Sequence, residues 1–183
     1  MYEREFTPER ITELKPNEVF VFGSNLAGSH GGGAARFAYT HFGAVWGHGV
    51  GMQGQSYAIP TMQGGVETIK PYIDEFIGFA KSRPSLKFLV TKIGCGIAGF
   101  KAEDIALLFD DAFDIVNIIL PEEFVYWINK FRRYRSETNG IAWEYHEIEF
   151  YPEDVEKMKS MTLEERNAYM IKLKTERRFT IKD

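Results

Sequence analysis

Val19-Phe20-Val21-Phe22-Gly23-Ser24-Asn25-Leu26-Ala27-Gly28-Ser29-His30-Gly31-Gly32-Gly33-Ala34-Ala35 is the stretch on which the fold turns. Its first four residues form a compact apolar run between Pro16-Asn17 and Gly23, the pattern of a buried strand. A polar, glycine-rich loop follows from Ser24 to Gly32. From Gly33 to Phe42 the residues Ala34, Phe37, Ala38 and His41 recur at helical spacing. The order is therefore strand, glycine loop, helix. That order aims unpaired backbone N–H groups and the positive end of a helix dipole at one spot, which favours an anion. Glycine suits the spot because a Cβ would hold a phosphate oxygen away from the amides. A tight turn alone would explain one glycine, whereas Gly28 together with Gly31-Gly32-Gly33 points to a ligand. No Lys-Ser or Lys-Thr follows these glycines, so the loop is not a P-loop, and the spacing is not Gly-x-Gly-x-x-Gly.

The motif has a counterpart downstream. In Val90-Thr91-Lys92-Ile93-Gly94-Cys95-Gly96-Ile97-Ala98-Gly99-Phe100 a strand again runs into glycines and then a helix. In a parallel sheet both loops lie at the carboxyl ends of strands, where α/β proteins bind ligands. Two loops so placed can grip a diphosphate from both sides.

The segments between and around the loops fit such a sheet. Ser56–Pro60, Phe88–Val90 and Asn117–Leu120 read as strands. Ile69, Ile73, Phe76, Ile77 and Ala80 mark an amphipathic helix ending before Pro84, and Ile105, Leu108, Phe109 and Ala112 mark another. Pro121 opens a helix carrying Phe124, Trp127, Ile128 and Phe131. Thr7-Pro8-Glu9 has the N-cap, proline and acidic first turn of a short helix start. Beyond Asn139-Gly140 glycine disappears and charge rises. Trp143 to Phe150 alternates like an edge strand, and Thr162-Leu163-Glu164-Glu165 is a capping box for a basic helix reaching about Arg178. Alternating strands and helices predict a three-layer α/β domain over residues 1–139. Residues 140–183 form a mostly helical extension, docked on the core or offered to a protein partner or a second copy.

Composition narrows the class. The chain has 183 residues, of which 44% are hydrophobic and 15% aromatic, enough for a substantial core. A single cysteine rules out an internal disulfide and fits a reducing, cytoplasmic setting. No apolar run approaches the roughly 18 residues of a membrane span. Met1-Tyr2-Glu3-Arg4-Glu5 has no apolar signal-peptide core. The net charge of −4 lacks the field of a duplex DNA binder, so no nucleic-acid partner is expected. Lys130, Arg132, Arg133 and Arg135 read as a solvated basic face. Asp110, Asp111 and Asp114 read as a solvated helix face, and no metal or cofactor is expected.

The paired loops resemble those of macro domains, the ADP-ribose-binding modules. Asn25, Gly31-Gly32-Gly33 and the closing Gly43 match that family's first loop and helix, and Gly94-Cys95-Gly96-Ile97-Ala98-Gly99-Phe100 matches its second loop. Gly54-Gln55-Ser56-Tyr57-Ala58-Ile59-Pro60 falls where the family has a strand. The likeness covers about residues 18–120 and is similar to a macro-domain-like group that includes phage-encoded non-structural proteins. It implies a macro-type sheet flanked by helices and an ADP-ribose-like nucleotide as ligand. It further implies that Gly31–Ala34 hold the distal ribose and phosphates, that Gly94–Phe100 close over the diphosphate, that Asn25 reaches the ribose and that Phe100 packs on a sugar or base. The expected ligand-binding residues are Gly23, Ser24, Asn25, Gly31, Gly32, Gly33, Ala34, Gly94, Cys95, Gly96, Ile97, Ala98, Gly99 and Phe100.

Departures from the family pattern shape the functional expectation. Hydrolytic members usually carry an acidic residue where this chain has Ala35, and the family's second loop usually offers an aromatic where it has Ala98. The acidic residue that often reads the adenine amino group has only Glu13 and Glu18 as candidates. Binding is therefore expected over turnover. The alternative is a glycohydrolase in which Asn25 and His30 position water, histidine being a common general base. A third reading is a non-catalytic interaction protein acting through residues 140–183. Cys95, in an electropositive glycine loop, is a candidate for a depressed pKa and a Cys–His pair with His30 or His48. His41, His48 and His146 read as structural or surface residues, and Gln53 and Gln55 as cleft-lining or loop-capping.

Overall fold

The computed structural model describes residues 4–137, 148–162, 165–166, 168–169, 172–173 and 179–181. The chain divides into two compact units, Met1–Asn129 and Lys130–Asp183.

The first unit is built on a five-stranded sheet in the order β2-β3-β1-β4-β5. Its strands are β1 (Glu18–Ser24), β2 (Gly51–Gln53), β3 (Ser56–Pro60), β4 (Lys87–Val90) and β5 (Ile118–Ile119). β1 pairs in parallel with both β3 and β4, β4 pairs in parallel with β5, and β2 alone is antiparallel. In β1 alternate residues point to opposite faces. Val19 and Val21 join the larger core cluster, and Phe20 and Phe22 the smaller one. Burial on both faces is why the strand reads as an unbroken apolar run.

The larger core gathers side chains from α2 (Lys70–Lys81), α3 (Ala102–Leu108) and α4 (Glu122–Glu137). Ile73, Phe76, Ile77 and Ala80 form the buried stripe of α2 at steps of three and four. Phe76 meets Phe88 edge to face with ring centroids 5.5 Å apart. Each such ring contributes roughly 1.5–3 kcal/mol by burial. On the opposite face α1 (Gly33–His41) lays Ala35 and Ala38 against Phe20 and Phe22. Helices on both faces of a largely parallel sheet make a three-layer α/β unit.

The N-terminal segment also packs on the α1 face, and here the expected helix at Thr7-Pro8-Glu9 does not form. Thr7 is buried with its amide donating to the Leu120 carbonyl at 3.0 Å and its hydroxyl to the Ile119 carbonyl at 2.7 Å. Those bonds tie the segment to the end of β5 in place of a helix start. Ile11 and Leu14 then pack on the smaller core as parts of an irregular chain.

In the second unit β6 (Ile148–Phe150) pairs antiparallel with β7 (Phe179–Ile181), and α5 (Pro152–Lys159) follows β6. The capping box holds: the Thr162 amide donates to Glu165 Oε2 at 2.9 Å, and the Glu165 amide donates back to Thr162 Oγ1 at 3.3 Å. Residues 165–166, 168–169 and 172–173 are helical. Met158 and Leu173 are buried together. Of the alternating stretch from Trp143, only Ile148–Phe150 falls among the described residues, as β6; His146 lies outside them. Among the described residues no helix is long and apolar enough to cross a membrane.

Candidate functional site: two converging glycine loops

The chain leaves β1 towards β3 on one side and returns through β4 on the other, so strand order reverses beside β1. Such a reversal opens a crevice at the carboxyl ends of the strands. Both glycine loops start there, after β1 and after β4. Their roots nearly touch: a Cβ on Gly23 would stand 3.3 Å from the Gly94 amide nitrogen and 3.4 Å from Thr61 Oγ1. The carbonyl of Ser24, itself buried, accepts both the Thr61 amide at 2.9 Å and the Thr61 hydroxyl at 3.3 Å. Gly23 and Ser24 thus form the floor of the crevice.

Further out the loops meet again. Ile97, 74% exposed, reaches across so that a Cβ on Gly32 would lie 3.1 Å from its Cδ1 and one on Gly33 3.8 Å. Gly32 is the N-cap of α1, with extended backbone, and α1 carries no acidic residue in its first turn. Among the described residues the amides of Gly31, Gly32, Gly33 and Ala34 donate no hydrogen bond, and neither do those of Gly96, Ile97 and Ala98. The second loop is shaped instead by Cys95 N–H to the Lys92 carbonyl, Gly99 N–H to Gly96 and Phe100 N–H to Gly94. Two stretches of amides without a partner, one of them at the positive end of a bare helix, thus belong to neighbouring loops at the carboxyl ends of the strands. Such an arrangement can serve as an anion cradle.

The side chains around it divide by role. Asn25 closes its own loop: its Nδ2 donates to the Ser29 carbonyl and its Oδ1 accepts the Ser29 amide, both at 3.0 Å. His30 is only 1% exposed, and its Nε2 lies 3.1 Å from the carbonyls of both Val45 and His48. Its Nδ1 is enclosed and without a hydrogen-bond partner. The ring therefore pins the loop Ala44–Val50 to the first glycine loop and presents neither nitrogen to the crevice. Gln53, also buried, assists by accepting the Val45 amide at 2.7 Å and donating to the His48 carbonyl at 2.9 Å. Gln55 lies elsewhere, donating to the Lys15 and Glu18 carbonyls beside the amino end of β1.

Ala35, where a hydrolase would be expected to carry an acid, is buried in the smaller core under α1. Phe100 and Cys95 are partly buried against the larger core. The expected depression of the Cys95 thiol is not found. Burial first and the Glu123 carboxylate second push its pKa up to about 11, against a weaker opposing pull from Lys92. The adenine-reading candidates also sit apart from the crevice: Glu18 opens β1 at the opposite end of the strand and pairs with Lys15, and Glu13 is exposed. Among the described residues no group of three or more His, Cys, Asp or Glu side chains is placed to hold a metal ion.

A cleft of about 1110 Å³ adjoins the cradle on the α1 face. Gly33, Ala34 and Phe37 of α1 form one wall, Thr91 and Lys92 after β4 the back, and the segment Phe6–Thr12 with Pro121–Glu123 and Tyr126 the remainder. Lys92 hydrogen-bonds Glu123 at 2.8 Å, the contact that most raises its pKa, and lies 4.0 Å from Glu9. The cleft's N-terminal wall was not legible in the sequence, because the segment carries a helix signal and no periodic pattern. Trp46 on the pinned loop was missed for the same reason: its neighbours form no motif.

No protein-family model matches the chain, and neither a curated protein nor a solved structure matches it.

Proposed function

We propose that this protein binds a phosphate-bearing nucleotide of the ADP-ribose type, with its diphosphate between the glycine loops. The observation that carries the reading is the double row of unpaired amides, Gly31–Ala34 and Gly96–Ala98, bridged by Ile97 over the N-terminus of α1. The neighbouring cleft of about 1110 Å³ is ample for the nucleoside end of such a ligand. Binding without turnover is the form the side chains favour. His30 is enclosed, Asn25 is bonded within its own loop, and Ala35 leaves no acid beside the triplet.

Thermal melting against ADP-ribose, NAD and ADP tests this. A ligand at a hundred times its dissociation constant adds about 2.7 kcal/mol, which in a domain of this size moves Tm by several degrees. Gly32→Glu places a carboxylate among the amides and against Ile97, so the shift is expected to vanish while the variant stays folded. A folded wild type that gives no shift with any of the three ligands overturns the reading.

A further inference from the structure

Trp46 occupies an unusual position. It is 55% exposed, yet the loop that carries it is tied down by buried side chains. Backbone groups on both sides of it are held by His30 and Gln53, two buried polar side chains, and the Gly47 amide donates to the Gly28 carbonyl at 3.0 Å. The indole meets Tyr39 edge-on at 5.9 Å and His30 edge-on at 6.4 Å. A scattered exposed aromatic needs no explanation. One set rigidly beside an anion cradle does, since ordering a ring in advance removes the entropy cost of ordering it on binding.

Its location supplies the occupant. The Cη2 atom of Trp46 lies 4.0 Å from where a Cβ on Gly31 would stand, while Ile97 lies over the middle and far end of the triplet, its Cδ1 3.1 Å from a Cβ on Gly32 and 3.8 Å from one on Gly33. The large cleft takes its wall from Ala34 and Phe37 of α1 and does not include Trp46 or Tyr39. A diphosphate on the triplet therefore has a pocket at one end and an exposed indole at the other. Resting on the nucleotide reading above, we propose that Trp46 is a second ring-binding subsite, and that the ligand class is a dinucleotide carrying a planar ring at each end of its diphosphate. An indole recognises such a ring by stacking, largely without regard to its hydrogen-bonding pattern.

The test is calorimetric titration of the full chain with NAD and with ADP-ribose, which differ by one planar ring, in wild type, Trp46→Ala and Trp46→Phe. The wild type is expected to bind NAD about tenfold more tightly than ADP-ribose. Trp46→Ala is expected to erase that difference while leaving ADP-ribose affinity within about twofold, and Trp46→Phe to keep most of it. Equal affinity for the two ligands in the wild type, or a preference for NAD that survives Trp46→Ala, overturns the subsite and leaves the nucleotide reading standing. Binding of neither ligand by the folded wild type overturns both. Melting of each variant within a few degrees of wild type confirms that the comparison is made on folded protein.

Discussion

The two glycine loops look alike as strings of residues and differ in what their glycines are for. Where the first meets the segment Ala44–Val50, a Cβ on Gly28 would stand 2.2 Å from the His48 amide nitrogen, and one on Gly49 would stand 2.0 Å from the Asn25 carbonyl oxygen. These glycines let two stretches of backbone lie against each other. In the second loop a Cβ on Gly96 or Gly99 would meet nothing within 4 Å. Open space over a glycine that lines a crevice leaves the backbone accessible to whatever enters. The helices that follow differ too. α1 begins without an acidic residue, whereas α3 begins with Glu103 and Asp104, which already complement its dipole. The first loop thus supplies a braced frame and a bare helix end, and the second supplies backbone left open at Gly96 and Gly99.

The sharpest way to break this comparison is to remove the brace. His30→Ala leaves the Val45 and His48 carbonyls without their shared donor and empties a fully enclosed site against Phe22 and Trp46. Cavity and lost hydrogen bonds together predict a loss of about 3–5 kcal/mol in urea unfolding. A loss below about 1 kcal/mol would mean that His30 does not hold the frame, and would reopen a chemical role for it.

Next in size is a paired substitution. Gly28 has φ of 64°, so Gly28→Ala combines left-handed strain with collision against backbone, and a loss of about 2–4 kcal/mol follows. Gly96→Ala is expected to stay within about 0.5 kcal/mol of wild type. If ligand binding falls in Gly96→Ala despite unchanged stability, the open glycine serves the ligand. Equal destabilisation by the two substitutions would erase the distinction between the loops.

The sequence carried the architecture further than it carried the site. Val19–Phe22, Ser56–Pro60 and Phe88–Val90 announce strands through short apolar runs between turn residues, and all three are strands of the sheet. The stripe of Ile73, Phe76, Ile77 and Ala80 likewise fixes α2, because the helical period and the larger core demand the same residues. Thr7-Pro8-Glu9 fails because a tertiary partner, the end of β5, binds the Thr7 hydroxyl and amide and holds the segment to the sheet. β2 escaped notice since its three residues, Gly51-Met52-Gln53, are too few to set a period. The glycine loops were legible as loops. The enclosure of His30 was not, because it depends on His48 and Val45 returning from fifteen and more residues away, a long-range event with no local signature.

The smallest effect concerns Cys95 and reports on the second loop alone. With its pKa raised to about 11, the thiol is protonated in the folded chain at pH 8, whereas an ordinary exposed thiol near 8.5 is about a quarter thiolate. The folded thiolate fraction is thus lower by about two orders of magnitude. The greater nucleophilicity of a more basic thiolate recovers about one of them, so alkylation by iodoacetamide at pH 8 should run about tenfold slower than for a free thiol. The linkage to stability has a definite sign. The neutral thiol is favoured in the fold, so this contribution is complete below the ordinary thiol value and declines as pH rises from there through about 11. Cys95→Ala should flatten that part of the stability profile, read from urea midpoints between pH 8 and pH 10.5, while leaving the midpoint near pH 7 with only a packing loss. Rapid alkylation with an unchanged profile would mean that the second loop is open at its root as well as its tip. Slow alkylation with the expected decline would place a fixed, core-facing root beneath the exposed Ile97, so that the loop's open glycines sit on a firm base.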